Sequence, residues 1–136
     1  MKSVLFGYPN ADSWRLALDD VSARERGIAL KGELRVGFFQ ALTPMCIPPA
    51  TLSRFAADLR ELDSTLAGSA TLEGRSKQSA VRLTLTVNHI GHIHAAGRYE
   101  INGNVLDFNF RADQTQLGPL VQWLDSIIRR CENAEA

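Results

Sequence analysis

The chain has 136 residues, 45% of them hydrophobic and 22% charged, with 15 basic and 15 acidic side chains and a formal net charge of +0. That length suits one domain with a core of its own, spanning residues 1–136, and is short for two. The balanced charge excludes a global field that would steer the protein onto nucleic acid or an anionic membrane, and no apolar run approaches the about 20 residues of a membrane span.

At the N-terminus, Val4-Leu5-Phe6 is an apolar run that stops at Gly7-Tyr8-Pro9-Asn10. It is too short for the apolar core of a signal peptide, so the expected location is cytoplasmic. The two cysteines, Cys46 and Cys131, form no Cys-x-x-Cys and read as small apolar side chains in a reducing compartment. A disulfide between them would require the fold to bring them together.

Strand-like alternation begins at Trp14, with Trp14, Leu16 and Leu18 on one side and Arg15, Ala17 and Asp19 on the other. Asp19-Asp20 reads as a turn, and SARERG (22–27) as a polar turn or strand end. From 27 to 39 apolar residues alternate again, with Ile28, Leu30, Leu34, Val36 and Phe38 on one face; Gly32 and Gly37 suggest bulges or bends. TPMCIPP (43–49) holds three prolines in seven residues and reads as a connector.

A first helix is predicted over about 50–66. Pro49 suits its first position, and Leu52, Phe55, Leu59, Leu62 and Leu66 form one apolar stripe. Gly68 is the predicted stop. Strands follow at 69–75, 79–88 and 105–111, the second alternating Val81, Leu83, Leu85 and Val87 against Arg82, Thr84, Thr86 and Asn88. A second helix is predicted over about 114–131, with Asp113 as N-cap and Leu117, Leu120, Val121, Leu124, Ile127 and Ile128 on its apolar face. Arg129 and Arg130 then stand at the negative end of its dipole, and the tail ENAEA is expected to fray. No repeat is evident. The expected class is α+β: a mainly antiparallel sheet, curved or sandwich-like, with two amphipathic helices on an apolar face.

All three histidines lie in TVNHIGHIHAAGRYEINGN (86–104): His89, His92 and His94. Asn102-Gly103 is a strong signal for a two-residue type I′ hairpin. It pairs Ile101 with Asn104, Tyr99 with Leu106, Arg98 with Asp107, Gly97 with Phe108 and His94 with Arg111. Tyr99, Leu106 and Phe108 then share the core face, the Phe108 ring lies over Gly97, and Arg98–Asp107 is a cross-strand ion pair outside. His92 and His94 fall on the same outer face after the turn Asn88-His89-Ile90-Gly91. A metal reading uses His92, His94 and Glu100, which share parity. Against it, Asp107 is matched to Arg98, His94 faces the cationic Arg111, and the spacing departs from that of cupins, with Glu100 one residue late and no later histidine. No nucleophile elbow, phosphate loop or basic patch with interleaved aromatics is present, which favours binding over catalysis and argues against nucleic acid.

The order of parts resembles a known family. The pieces are Leu52-x-x-Phe55-x-x-x-Leu59 on a helix, a short strand from Gly68 to Leu72, a long alternating strand, and the turn Gly91-His92-Ile93. They end in Leu106, Phe108, Phe110, Asp113, Gln114, Thr115 and Leu117 before a terminal helix. From about Trp14 onward this resembles the WapI-like immunity proteins of bacterial polymorphic-toxin systems. The resemblance implies a cytoplasmic protein that binds a cognate toxin domain and blocks it stoichiometrically, with no cofactor and no chemistry of its own. It carries over no contact residues. By position, the expected contact face is the outer side of the sheet: Arg82, Thr84, Thr86, His92, His94, Arg98 and Glu100. The other readings are a small-molecule or metal-binding β-domain, with enzymatic use of His92, His94 and Glu100, and a self-associating module forming a homodimer.

Overall fold

Alternation and turn chemistry together set the strands. A computed structural model describes residues 3–7, 12–22, 27–88 and 90–135. Eight strands run in chain order: β1 Ser3–Gly7, β2 Ser13–Ser22, β3 Gly27–Val36, β4 Phe39–Ile47, β5 Ser69–Arg75, β6 Ser79–Val87, β7 His92–Ile101 and β8 Asn104–Asp113. The helices are α1 Pro49–Thr65 and α2 Leu117–Glu135. The class is α+β, as the sequence predicts. Neighbouring strands pair antiparallel in the order β1 to β8. The sheet is pinched in the middle, where β4 and β5 share the single pair Cys46↔Arg75. It also curls, so that Phe6 on β1 meets Phe110 on β8 edge-to-face, with ring centroids 6.2 Å apart.

The pinch divides the molecule into two halves of one design: four antiparallel strands, then a helix. The second half repeats the first about 65 residues later. On α1 the buried residues are Leu52, Phe55, Ala56, Leu59 and Leu62; on α2 they include Leu117, Leu120, Val121, Leu124 and Ile127. Each pair is separated by the same interval. Gly32 lies opposite the buried Leu16, and its counterpart Gly97 lies opposite the buried Leu83. The helices pack together through equivalent positions, as subunits do about a two-fold axis: Arg60 Nη2 on α1 forms an ion pair with both carboxylate oxygens of Asp125 on α2, 65 residues on. The core is one contiguous cluster fed by both halves, and each fully buried Leu or Phe contributes about 1.5–3 kcal/mol.

Several local expectations need correction. The apolar run at the N-terminus, to which the sequence reading gives no element, is strand β1, with Val4 and Phe6 buried and Phe6 paired with Trp14. The irregularity in the first half falls in β2, between Leu18 and Asp20, so Asp19-Asp20 sits at a bulged strand and not in a turn; Gly32 is in regular register. Ser22 ends β2 and Gly27 opens β3, while 23–26 of the predicted polar turn lie outside the described residues. TPMCIPP is mostly strand, since β4 runs through Pro44 to Ile47. Gly37-Phe38 is a two-residue turn, which takes Phe38 off the core face.

Helix α1 starts with Pro49 as foreseen, but the left-handed residue that ends it is Leu66 (φ 55), two positions before Gly68. The second helix opens with a 3-10 turn, Gln114–Gln116, and its backbone stays helical to Glu135. Arg129 and Arg130 are therefore more than a turn from its end, where the dipole interaction has faded. Trp123, outside the predicted stripe, is among the largest fully buried side chains. Among the described residues no helix is long and apolar enough to cross a membrane.

Candidate functional site

The type I′ turn fixes the site. Asn102 (φ 48) and Gly103 (φ 84) take the two left-handed positions that the turn requires, and every predicted pair from Ile101↔Asn104 to His94↔Arg111 is present. Register in β7 then decides which side chains face out. The Phe108 ring lies across Gly97 so closely that a Cβ there would stand 2.5 Å from Cζ and 2.4 Å from the Arg82 carbonyl oxygen.

On the outer face of β5–β8 the side chains form transverse rows. One row is Glu73, Arg82, Arg98 and Asp107, each opposite the next. It places two arginines side by side in its middle, an unfavourable pairing relieved by the flanking acids. Arg82 Nε stands 3.1 Å from Glu73 Oε1 as an ion pair, Arg98 Nε donates to Asp107 Oδ1 at 2.8 Å, and Glu100 approaches Arg98 at 3.8 Å. The Arg98 hydrogen bond holds the Asp107 carboxyl below the usual range although desolvation opposes it, and the same bond raises Arg98. Both groups are exposed, so the pair contributes modestly.

The next row, Thr71, Thr84, Ala96 and Asn109, is polar and uncharged, with the Thr71 and Thr84 hydroxyls 3.0 Å apart. Beyond it come Ser69, Thr86, His94 and Arg111, and then His92 opposite Asp113. Arg82, His92, His94, Arg98 and Glu100 are exposed; Thr84 and Thr86 are half-buried. All seven predicted contact residues thus lie on one face. An open depression of about 270 Å³ crosses it, walled by Glu73, Arg75, Arg82, Arg98 and Glu100.

Shared parity does not bring His92, His94 and Glu100 together. Five strand residues lie between His94 and Glu100, a span of about 20 Å at the rise of a β-strand. Among the described residues no three His, Cys, Asp or Glu side chains are close enough to hold a metal ion. His89 lies outside the described residues, as does the Cys131 side chain; Cys46 is a free, half-buried thiol.

Two features escaped the sequence reading. Gln116 clips the end of β1: its Oε1 accepts from Gly7 N–H at 3.0 Å and its Nε2 donates to the Gly7 carbonyl at 2.6 Å. Its only sequence signal is an amide three residues after a predicted N-cap. The other is the exposed apolar tip of the β3–β4 hairpin, Phe38, Phe39 and Leu42. Its signal was Gly37 followed by two phenylalanines.

The face offers hydrogen-bonding and charged groups held in fixed register. In fold, the chain is similar to one in the crystal structures of Trypanosoma bruciei MRP1/MRP2, with a TM-score of 0.58 and 12% identity over 98% of this chain and 86% of that one. At that identity the likeness is one of fold alone. No curated protein matches the sequence significantly. The model of the immunity protein WapI-like family matches residues 5–132, nearly the whole chain. The chain belongs to the WapI-like immunity protein family.

Proposed function

We propose that the protein neutralises a cognate bacterial toxin domain by binding it in the cytoplasm, one to one, and covering its active site or substrate entry. It acts by contact alone, without catalysis or cofactor. The observation that carries this reading is the family match across residues 5–132. The contact face we assign is the outer side of β6 and β7, with Arg82, Thr84, Thr86, His92, His94, Arg98 and Glu100. What supports it is the regular pairing that holds these side chains on one solvated surface.

The test is co-expression with the C-terminal domain of a large toxin encoded beside this protein. The domain alone should stop growth, the pair should grow, and the two chains should co-elute as a 1:1 complex. Growth arrest whether or not this protein is present sinks the reading.

A further inference from the structure

Strands β4 and β5 meet at the single pair Cys46↔Arg75. Continued by count, that antiparallel ladder would set residue 48 against Glu73. Residue 48 is Pro48, which has no N–H to give, and Pro49 turns the chain into α1. The lane along β5 that β4 would have filled is left vacant. Pairing fixes what faces it. Ser76 N–H donates to the Ser79 carbonyl at 2.9 Å and closes the β5–β6 hairpin. Gly74, Leu72 and Ala70 therefore direct their backbone groups to β6, and Glu73, Thr71 and Ser69 direct theirs to the vacant side. Among the described residues nothing takes those N–H and C=O groups. A groove of about 580 Å³ lies there, with Thr51, Arg54 and Asp58 of α1 on one wall and Ser69, Thr71 and Glu73 of β5 on the other.

The other half of the molecule serves as a control. Gly7 is the counterpart of Arg75, and Gln116, the counterpart of Thr51, takes both its N–H and its carbonyl. Trp123 stands at the place of Asp58 and is 2% exposed, and Pro119 stands at the place of Arg54. An amide, an indole and a proline ring thus occupy the positions where α1 carries a hydroxyl, a carboxylate and a guanidinium. The open lane is a matter of these side chains and not of the architecture.

We propose that the lane binds a single extended segment of the toxin domain as an added antiparallel strand beside β5; this rests on the immunity reading above. An open strand edge offers a row of donors and acceptors that an extended peptide can pair with. The far wall selects the occupant. A strand added here has α1 beyond it, so it carries no further strand on that side. A second copy of this chain offers no such segment among its described residues: its strands already pair within their own sheet, and its connections run to three described residues at most. The walls set the chemistry. They are charged and hydroxylic, and Arg54 and Asp58 have no ion-pair partner among the described residues, so the segment is polar and is held chiefly through its backbone. Arg82 borders the groove and belongs to the contact face assigned above, which makes the two surfaces continuous.

Hydrogen exchange and titration calorimetry with the purified toxin domain and the full chain test this. In the complex the amides of Ser69, Thr71 and Glu73 should exchange at least ~100-fold more slowly than in the free chain. Thr51→Gln with Asp58→Trp gives α1 the side chains that α2 carries at those places and should weaken binding at least ~100-fold. Arg54→Ala should weaken it by no more than about tenfold. The exchange reading uses the parent chain, so it decides whether or not the double variant folds. A complex in which those amides exchange as fast as in the free chain, or one that the folded double variant forms at parental affinity, overturns the lane and leaves the immunity reading standing. A greater loss with Arg54→Ala than with the double variant overturns recognition through the backbone. A parent chain that fails to bind the toxin domain overturns the immunity reading, and the lane with it. A parent chain that dimerises alone and slows the same amides shows the occupant to be a second copy and overturns the proposal.

Discussion

Gly97 is a position with almost no freedom. Its backbone is ordinary strand, but a methyl group there would meet both the Arg82 carbonyl and the Phe108 ring at about 2.5 Å. Backbone on one side and a buried ring on the other leave no cheap relief. Gly97→Ala should cost about 1–3 kcal/mol, read as a lower midpoint in urea with an unchanged slope; an unchanged midpoint would mean that the strand shifts freely. This contact was legible in the sequence because Asn102-Gly103 fixes the register and the register places Phe108 beside Gly97. The same logic located the Arg98–Asp107 pair. Because Asp107 is depressed in the folded protein, the stability it contributes is whole above the ordinary carboxylate pKa of about 3.9 and is lost as pH falls through the lower, folded value. Arg98→Ala should move the Asp107 titration upward when followed by NMR and should shallow the acid limb of the stability curve. No movement would mean that Arg98 is not what holds the carboxyl down. Gln116 and Phe38 were illegible for opposite reasons. Gln116 acts on Gly7, which is 109 residues away, and no local pattern announces such a partner. Phe38 continued an alternation that the turn at Gly37 had already ended.

At the scale of elements, β4 shows why proline was misleading. Counting out from the two-residue turn, Phe39, Ala41, Thr43 and Met45 direct their backbone groups to β3, and Gln40, Leu42, Pro44 and Cys46 direct theirs to the other edge. Cys46 meets Arg75 there and the Leu42 carbonyl receives the Tyr99 hydroxyl. Pro44 falls where β4 has run past β5, so its missing N–H deprives no strand. Three prolines in seven residues look like a connector until the pairing is known, and pairing is a long-range property. The proline also blunts an open edge beside an exposed apolar tip. Pro44→Val restores a donor and a β-branched residue on that edge. The variant should fold normally yet associate in a concentration-dependent way in sedimentation velocity, where the parent does not. A variant that stays monomeric at high concentration would show that the edge is guarded by something other than the proline. Helices were more legible because their pattern is local: the apolar stripe of α1 and the face of α2 follow from spacing alone. Their ends were less so, since Leu66 takes the left-handed position while a glycine waits two residues later.

At the scale of the whole molecule, the two halves repeat one another, and the sequence concealed it. Equivalent core positions share polarity more than identity, as in Phe55 with Leu120, Ala56 with Val121 and Leu62 with Ile127. The interval also slips. It is 65 residues in the helices and the last two strands of each half, but Trp14 and Val81, which hold equivalent places opposite Leu34 and Tyr99, are 67 apart: the bulge in β2 adds one residue and the longer connection from Ser22 to Gly27 adds the other. A search for a fixed period passes over such a repeat. The symmetry extends to how each helix hands on to the next strand. Helix α1 packs on β5, which follows it, and α2 packs on β1, which would follow it if the chain were circular. Five residues join Thr65 to Thr71, the counterpart of Ser3; joining Ala136 to Met1 would place eight between Arg130, the counterpart of Thr65, and Ser3. The fold therefore has room for the chain to be closed there and reopened in the exposed loop between Ala67 and Gly68, the kind of site where permutation is tolerated. A permutant beginning at Gly68 should unfold in one cooperative transition, with a midpoint within about 10 °C of the parent, since one exposed peptide bond is opened and the core is unchanged. Failure to fold would mean that the halves are alike in outline only, and that the passage from α1 to β5 sets an order of assembly that the passage from α2 to β1 does not reproduce.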